Sequence, residues 1–189
     1  MPPILTGGAA RRGVPIWRAG KMKGMTELKT ITYRGGIAKF RIPSTWVEEY
    51  EPSGGGTFYE NGPDTGTLRI NVLDFEKAAG DSQVQTSARD ILASSKDVDD
   101  VEQLPNGNAS ARSRRTTVEN GEELLIYTLR IGVMVAPTCF RLVVFSYTIL
   151  ASQDQQPATQ MEIQLLDKLL VEGEYPAIQG ETGDFLHKP

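Results

Sequence analysis

The chain is poor in the residues that most often do chemistry. It has one cysteine, Cys139, and one histidine, His187, in 189 residues. A lone cysteine excludes an internal disulfide framework, and one His with one Cys excludes a zinc site of the usual nitrogen or sulfur type. His187 stands three residues from the end, so a Ser-His-Asp or Cys-His arrangement would place its general base on the terminal tail. No apolar run approaches the roughly 18 residues needed to cross a bilayer. The longest, near Leu124–Val135 and Phe140–Leu150, are broken by Arg130 and Arg141 and read as strands. There is no GxGxxG, and no lysine with serine or threonine at P-loop spacing.

What remains is an ordinary folded composition, 39% apolar and 23% charged, with a formal net charge of −4. The charge is uneven. Residues Met1 to Gly24 hold Arg11, Arg12, Arg18, Lys21 and Lys23 and no acid, leaving fifteen bases against twenty-four acids, or −9, in the remainder. An acidic body argues against nucleic acid as a partner, because that binding rests on phosphate neutralisation by Lys and Arg. The basic head lacks the apolar core of a secretory signal, and its prolines and glycines spoil an amphipathic helix. Residues 1–27 are expected to be disordered or extended, and the location cytoplasmic.

From Leu28 the pattern becomes that of a fold. Lys29–Tyr33 and the alternating Ile37–Ile42, joined by Arg34-Gly35-Gly36, read as a β-hairpin that Pro43 ends. Trp46 follows as a ring tucked against a sheet end. Gly54-Gly55-Gly56 feeds the strand Thr57–Glu60 rather than a helix, which removes a phosphate-binding role. Asn61–Gly66 supplies turn chemistry. Leu68, Ile70 and Val72 then alternate with Arg69, Asn71, Leu73 and Phe75 in a strand with both faces partly covered. Val84, Ala88, Ile91 and Leu92 mark a helix running to about Lys96. Ala109–Val118 reads as an exposed edge strand guarded by Arg112, Arg114 and Arg115. Leu124–Val135 and Cys139–Leu150 form the strongest strand pair, a central hairpin. A second helix spans about Ala158 to Glu172 with the stripe Met161, Leu165, Leu166, Leu169 and Leu170, stopped by Gly173 at the C-cap.

The order β-β-β-β-α-β-β-β-α predicts an α+β fold: a single antiparallel sheet of about six to seven strands flanked by two main helices. One domain covers residues 28–173, and residues 174–189 are a loose tail. With Ile42-Pro43 and Trp46 after the first hairpin, this order resembles the PsbP-like superfamily of photosystem II extrinsic proteins, Ran-binding Mog proteins and DcrB-like proteins. The resemblance implies a non-catalytic binding, assembly or chaperone role and transfers no functional residue.

Three functions compete, ranked in the order given. The first is a protein-binding or chaperone-like module, with another protein or a second copy in a homodimer as partner. The second is a carrier with a pocket between sheet and helix roofed by the Gly54–Gly66 loop. The third is an enzyme using carboxylates with Arg69 or Arg130. The expectation is a non-enzyme without cofactor or metal. The expected ligand or partner rim is Gly54, Gly55, Gly56, Tyr59, Asn61, Asp64 and Arg69.

Overall fold

The computed structural model describes residues 27–52, 54–76 and 87–177. The expected basic head, the expected helix start at Val84, His187 and most of the expected tail lie outside them. Strands β1 (Leu28–Tyr33) and β2 (Ala38–Pro43) pair antiparallel. Their connection at Arg34, Gly35 and Gly36 has positive φ at all three residues, the conformation that glycine relieves at two of them. Alternation along β2 buries Ala38, Phe40 and Ile42 and exposes Lys39 and Arg41.

Seven further strands form one antiparallel sheet: β3 (Val47–Tyr50), β4 (Gly56–Tyr59), β5 (Thr67–Glu76), β6 (Asp100–Gln103), β7 (Ala109–Glu119), β8 (Glu122–Ala136) and β9 (Cys139–Leu150). Their spatial order is β3-β4-β5-β9-β8-β7-β6. The long β8–β9 pair lies at the centre, as alternation predicts, with an irregularity between Met134 and Ala136. Asn120 and Gly121 both take positive φ in the β7–β8 turn, which matches the right-handed twist of a tight hairpin.

The two sheet faces are covered unequally. One face carries Phe58, Leu68, Ile70, Leu129, Ile131, Val143 and Phe145, and its core includes Ile31, Phe40 and Ile42 of the β1–β2 hairpin and Leu166 and Leu170 of helix α2 (Pro157–Val171). The rings of Phe40 and Phe145 meet edge to face at 5.1 Å. Trp46 is 3% exposed and stacks on Tyr147 at 6.3 Å. The other face receives the short helix α1 (Ala88–Ala93), whose Ala88 and Leu92 pack on Ala109, Ala111 and Phe140. That close approach depends on Gly132, where a Cβ would lie 2.9 Å from the Phe140 ring and 3.2 Å from Leu92. A reciprocal Ser87–Asp90 capping box starts α1.

The α+β class and the antiparallel sheet with two helices stand as expected. Several details differ. The sheet is not single, because β1 and β2 form a separate two-stranded layer over it. The four-residue strands β3 and β6 are additional. Strand β7 is not an edge, since β6 pairs outside it. Met161 is 71% exposed, and the buried positions of α2 are Leu166, Leu169 and Leu170. Gly173 is not in the left-handed conformation. It is needed because a Cβ there would lie 2.9 Å from the Lys39 carbonyl oxygen.

The chain also stays ordered past Gly173. Glu174 pairs with Lys39 through reciprocal backbone bonds of 2.8 and 2.9 Å. Tyr175 is 4% exposed and sits edge-on to Phe145, its hydroxyl donating to the Leu170 carbonyl.

Candidate functional site

Between helix α2 and the sheet is a cavity of about 310 Å³. Leu68 of β5, Leu129 of β8 and Phe145 of β9 form its sheet side, and Ile163, Leu166 and Leu170 form its helix side. These six side chains are apolar for the reason that the elements fold here: period-two alternation on the strands and positions i, i+3 and i+7 on the helix.

Three polar struts connect helix and sheet around that lining. Near the start of α2, Asp154 is buried at 5% exposure and accepts from Tyr127 Oη, from Arg114 Nη2 at 2.6 Å and from Gln160 Nε2 at 3.1 Å. Further along, Glu162 Oε2 accepts from Tyr147 Oη at 2.8 Å. Opposite it, Arg112 grips Asp167 in a bidentate pair, Nε to Oδ1 at 2.8 Å and Nη2 to Oδ2 at 3.1 Å. These contacts bridge helix and sheet beside the cavity, whose lining is mainly hydrocarbon.

The electrostatics follow from these contacts. The Tyr127 hydrogen bond, with help from Gln155 and Arg114, holds the Asp154 carboxyl below the usual carboxylate range. Burial pushes the Tyr147 phenol up, and the neighbouring Glu162 adds to this. Burial does the same to Tyr127, with its bond to Asp154 second. The Asp167 hydrogen bond raises Arg112 further above its already high value. Both phenols therefore remain protonated donors, and none of these groups is poised to exchange a proton near neutral pH.

A pH dependence follows with a definite sign. Asp154, and Glu48 through its Lys29 contact, have folded-state pKa values below the unfolded ones. Their stabilisation is complete above about pH 5, beyond the ordinary carboxylate range, and is lost as pH falls through the depressed values. Urea midpoints measured from pH 7 down to pH 2 should drop below about pH 5, and Asp154→Asn should flatten that drop. An unchanged acid limb in Asp154→Asn would remove Asp154 from the account.

The seven rim residues expected from sequence fall elsewhere, and none lines this cavity. Gly54 and Gly55, at φ 84° and 141°, close the β3–β4 turn and border a separate concavity of about 320 Å³ with Tyr33, Arg34, Tyr50, Glu51 and Pro52. Gly56 opens β4 opposite Ile70. Tyr59 donates to Glu49 at 2.7 Å. Asn61 is exposed in the β4–β5 loop, and the Asp64 carbonyl accepts from Gln153. Arg69 is exposed on the opposite sheet face, with Thr57 and Ser146 as strand neighbours. Of the seven, Gly54 and Gly55 border that concavity, and the other five line neither it nor the cavity under α2. Sequence reading missed Tyr127, Tyr147, Asp154 and Asp167, and took Arg112 and Arg114 for a solvent face. One signal was present: Asp167 interrupts the Ile163, Leu166, Leu170 stripe, and a charge there needs a partner across the interface.

Among the described residues, fold and cavity together define an α+β module with a cavity between α2 and an antiparallel sheet. No protein-family model matches the chain, and no curated protein matches it in sequence. Among solved structures, a protein from Bacteroides thetaiotaomicron is similar at a TM-score of 0.53 and 19% identity, over 79% of this chain and 48% of that one. The chain thus spans about half the length of that protein, and the likeness is one of fold. LpqN, involved in cell envelope biogenesis of Mycobacterium tuberculosis, is similar at a TM-score of 0.49 and 12% identity, over 78% of this chain and 89% of that one. Cyanobacterial PsbP from Synechocystis gives 0.35 and 14%, over 85% and 99%. The resemblance to PsbP-like proteins is one of architecture. Among the described residues, no helix is long and apolar enough to cross a membrane, and no group of three or more His, Cys, Asp or Glu is placed to hold a metal ion.

Proposed function

We propose that the chain is a non-catalytic binding module that holds one small apolar molecule between α2 and the sheet. The observation that carries this reading is the cavity of about 310 Å³ with its hydrocarbon lining. Its size falls at the lower end of ligand pockets, about 300–1,000 Å³. That volume suits a small molecule and not a peptide helix or strand. The protonated phenols and paired charges around it offer no activated nucleophile or general base, which supports binding over catalysis.

The protein-docking reading has less behind it. Leu73 and Phe75 are about half exposed at the far end of β5. Two such side chains are a small part of the roughly 800 Å² per partner that a stable interface buries.

A neutral fluorescent probe, N-phenyl-1-naphthylamine, tests the ligand reading. It should bind saturably at one site. Ile163→Trp, which fills the cavity from the helix side, should weaken it by about tenfold or more, the equivalent of about 1.4 kcal/mol. Absence of saturable binding by the wild type, or an unaffected Ile163→Trp, would sink the proposal.

A further inference from the structure

We infer that the ligand of this cavity carries no negative charge, and that the Arg112–Asp167 pair sets this selectivity; the inference rests on the cavity being a ligand site. An arginine beside an apolar pocket would ordinarily invite a carboxylate. Here Arg112, which lines the cavity, and Arg114, which lies over the ring of the lining Tyr127, are both already engaged. Arg112 holds Asp167 through two bonds and has Glu102 at 3.5 Å from Nη1. Arg114 holds Asp154 at 2.6 Å. Glu162 receives the Tyr147 hydroxyl and has no ion pair among the described residues. Four carboxylates therefore contact Arg112, Arg114 and the lining phenols, and of these charged groups Arg112 and Asp167 line the cavity itself.

An anionic ligand would leave water for a mainly hydrocarbon lining whose one cation among the described residues, Arg112, is already paired. An unpaired buried charge is among the costliest groups a protein can hold. An uncharged ligand of the same shape meets neither penalty. Asp167→Asn removes one of the four negative charges and loosens the hold on Arg112, so it should shift the preference toward anions.

The test compares 1-decanol with decanoate as displacers of N-phenyl-1-naphthylamine at pH 8, where the acid is ionised. The wild type should bind decanol, with decanoate weaker by about tenfold or more. In Asp167→Asn the decanol-to-decanoate ratio should fall by about tenfold. Equal or tighter decanoate binding by the wild type would overturn the inference and leave the cavity reading intact. An unchanged ratio in a folded Asp167→Asn would remove the ion pair as its cause. Failure of both compounds to displace a bound probe, or of the probe to bind, would overturn the cavity reading and the inference with it. The wild-type comparison decides the charge selectivity even if Asp167→Asn does not fold.

Discussion

Phe145→Ala is expected to lower the free energy of unfolding by about 3–5 kcal/mol, the range for removing a buried phenylalanine from a packed core. Phe145 is 1% exposed on β9, the middle strand of the seven. Its ring is met edge to face by Phe40 at 5.1 Å and by Tyr175 at 6.3 Å, so one truncation affects the sheet, the β1–β2 layer and the chain after α2 together. The void it leaves also adjoins the existing cavity, which it helps to line. Surrounding side chains cannot easily collapse into a space that already stands open, which places the cost toward the upper part of the range. Equilibrium urea unfolding gives the measurement. A loss under about 1 kcal/mol, the centre of the distribution for ordinary substitutions, would show that the three layers do not depend on this ring.

Gly66→Ala is expected to cost about 2–3 kcal/mol, an overpacking penalty at the high end of the usual range. The reason is steric rather than conformational, since φ at Gly66 is not left-handed. A Cβ at this position would lie 2.0 Å from Tyr147 Oη and 2.2 Å from its Cζ. The phenol must move, and with it go the 2.8 Å bond to Glu162 and the stack on Trp46. One methyl group in the β4–β5 loop thus disturbs a strut of the cavity. In a Trp17→Phe background, Trp46 emission reports the displacement directly while denaturation reports the cost. Unchanged emission together with unchanged stability would show that the loop yields instead of the ring.

Periodicity reveals what repeats, and the long elements repeat. Strands β5, β8 and β9 alternate over ten or more residues, and α2 carries an apolar stripe over four turns, so class, order and central pairing were legible. The strands missed, Val47–Tyr50 and Asp100–Gln103, have four residues each and are largely polar, too short for a period-two pattern to show. Nor does a hairpin pattern say whether the hairpin joins the main sheet or lies over it, because both arrangements bury Ile31, Phe40 and Ile42 equally well. The candidate site was the least legible part. Its lining looks like any core, and its struts join residues 40 and 55 positions apart in sequence, Arg114 with Asp154 and Arg112 with Asp167. The glycine-rich loop stands out by composition; it turns the chain between β3 and β4 and borders a concavity separate from the cavity under α2.

The return of Glu174 and Tyr175 to the β1–β2 layer bears on how the chain is made as well as on how it is held. Lys39 emerges from the ribosome early, and its backbone partner Glu174 is 135 positions later. Until that segment is synthesised, Phe145 lacks the Tyr175 ring that meets it edge-on and Lys39 lacks its bridge. Contacts of such sequence separation form slowly, and a chain awaiting them shows apolar surface to its neighbours. The nascent protein therefore cannot complete its core on the ribosome ahead of its last described residues, and ribosome-bound fragments ending before Tyr175 should be the species that need protection from aggregation.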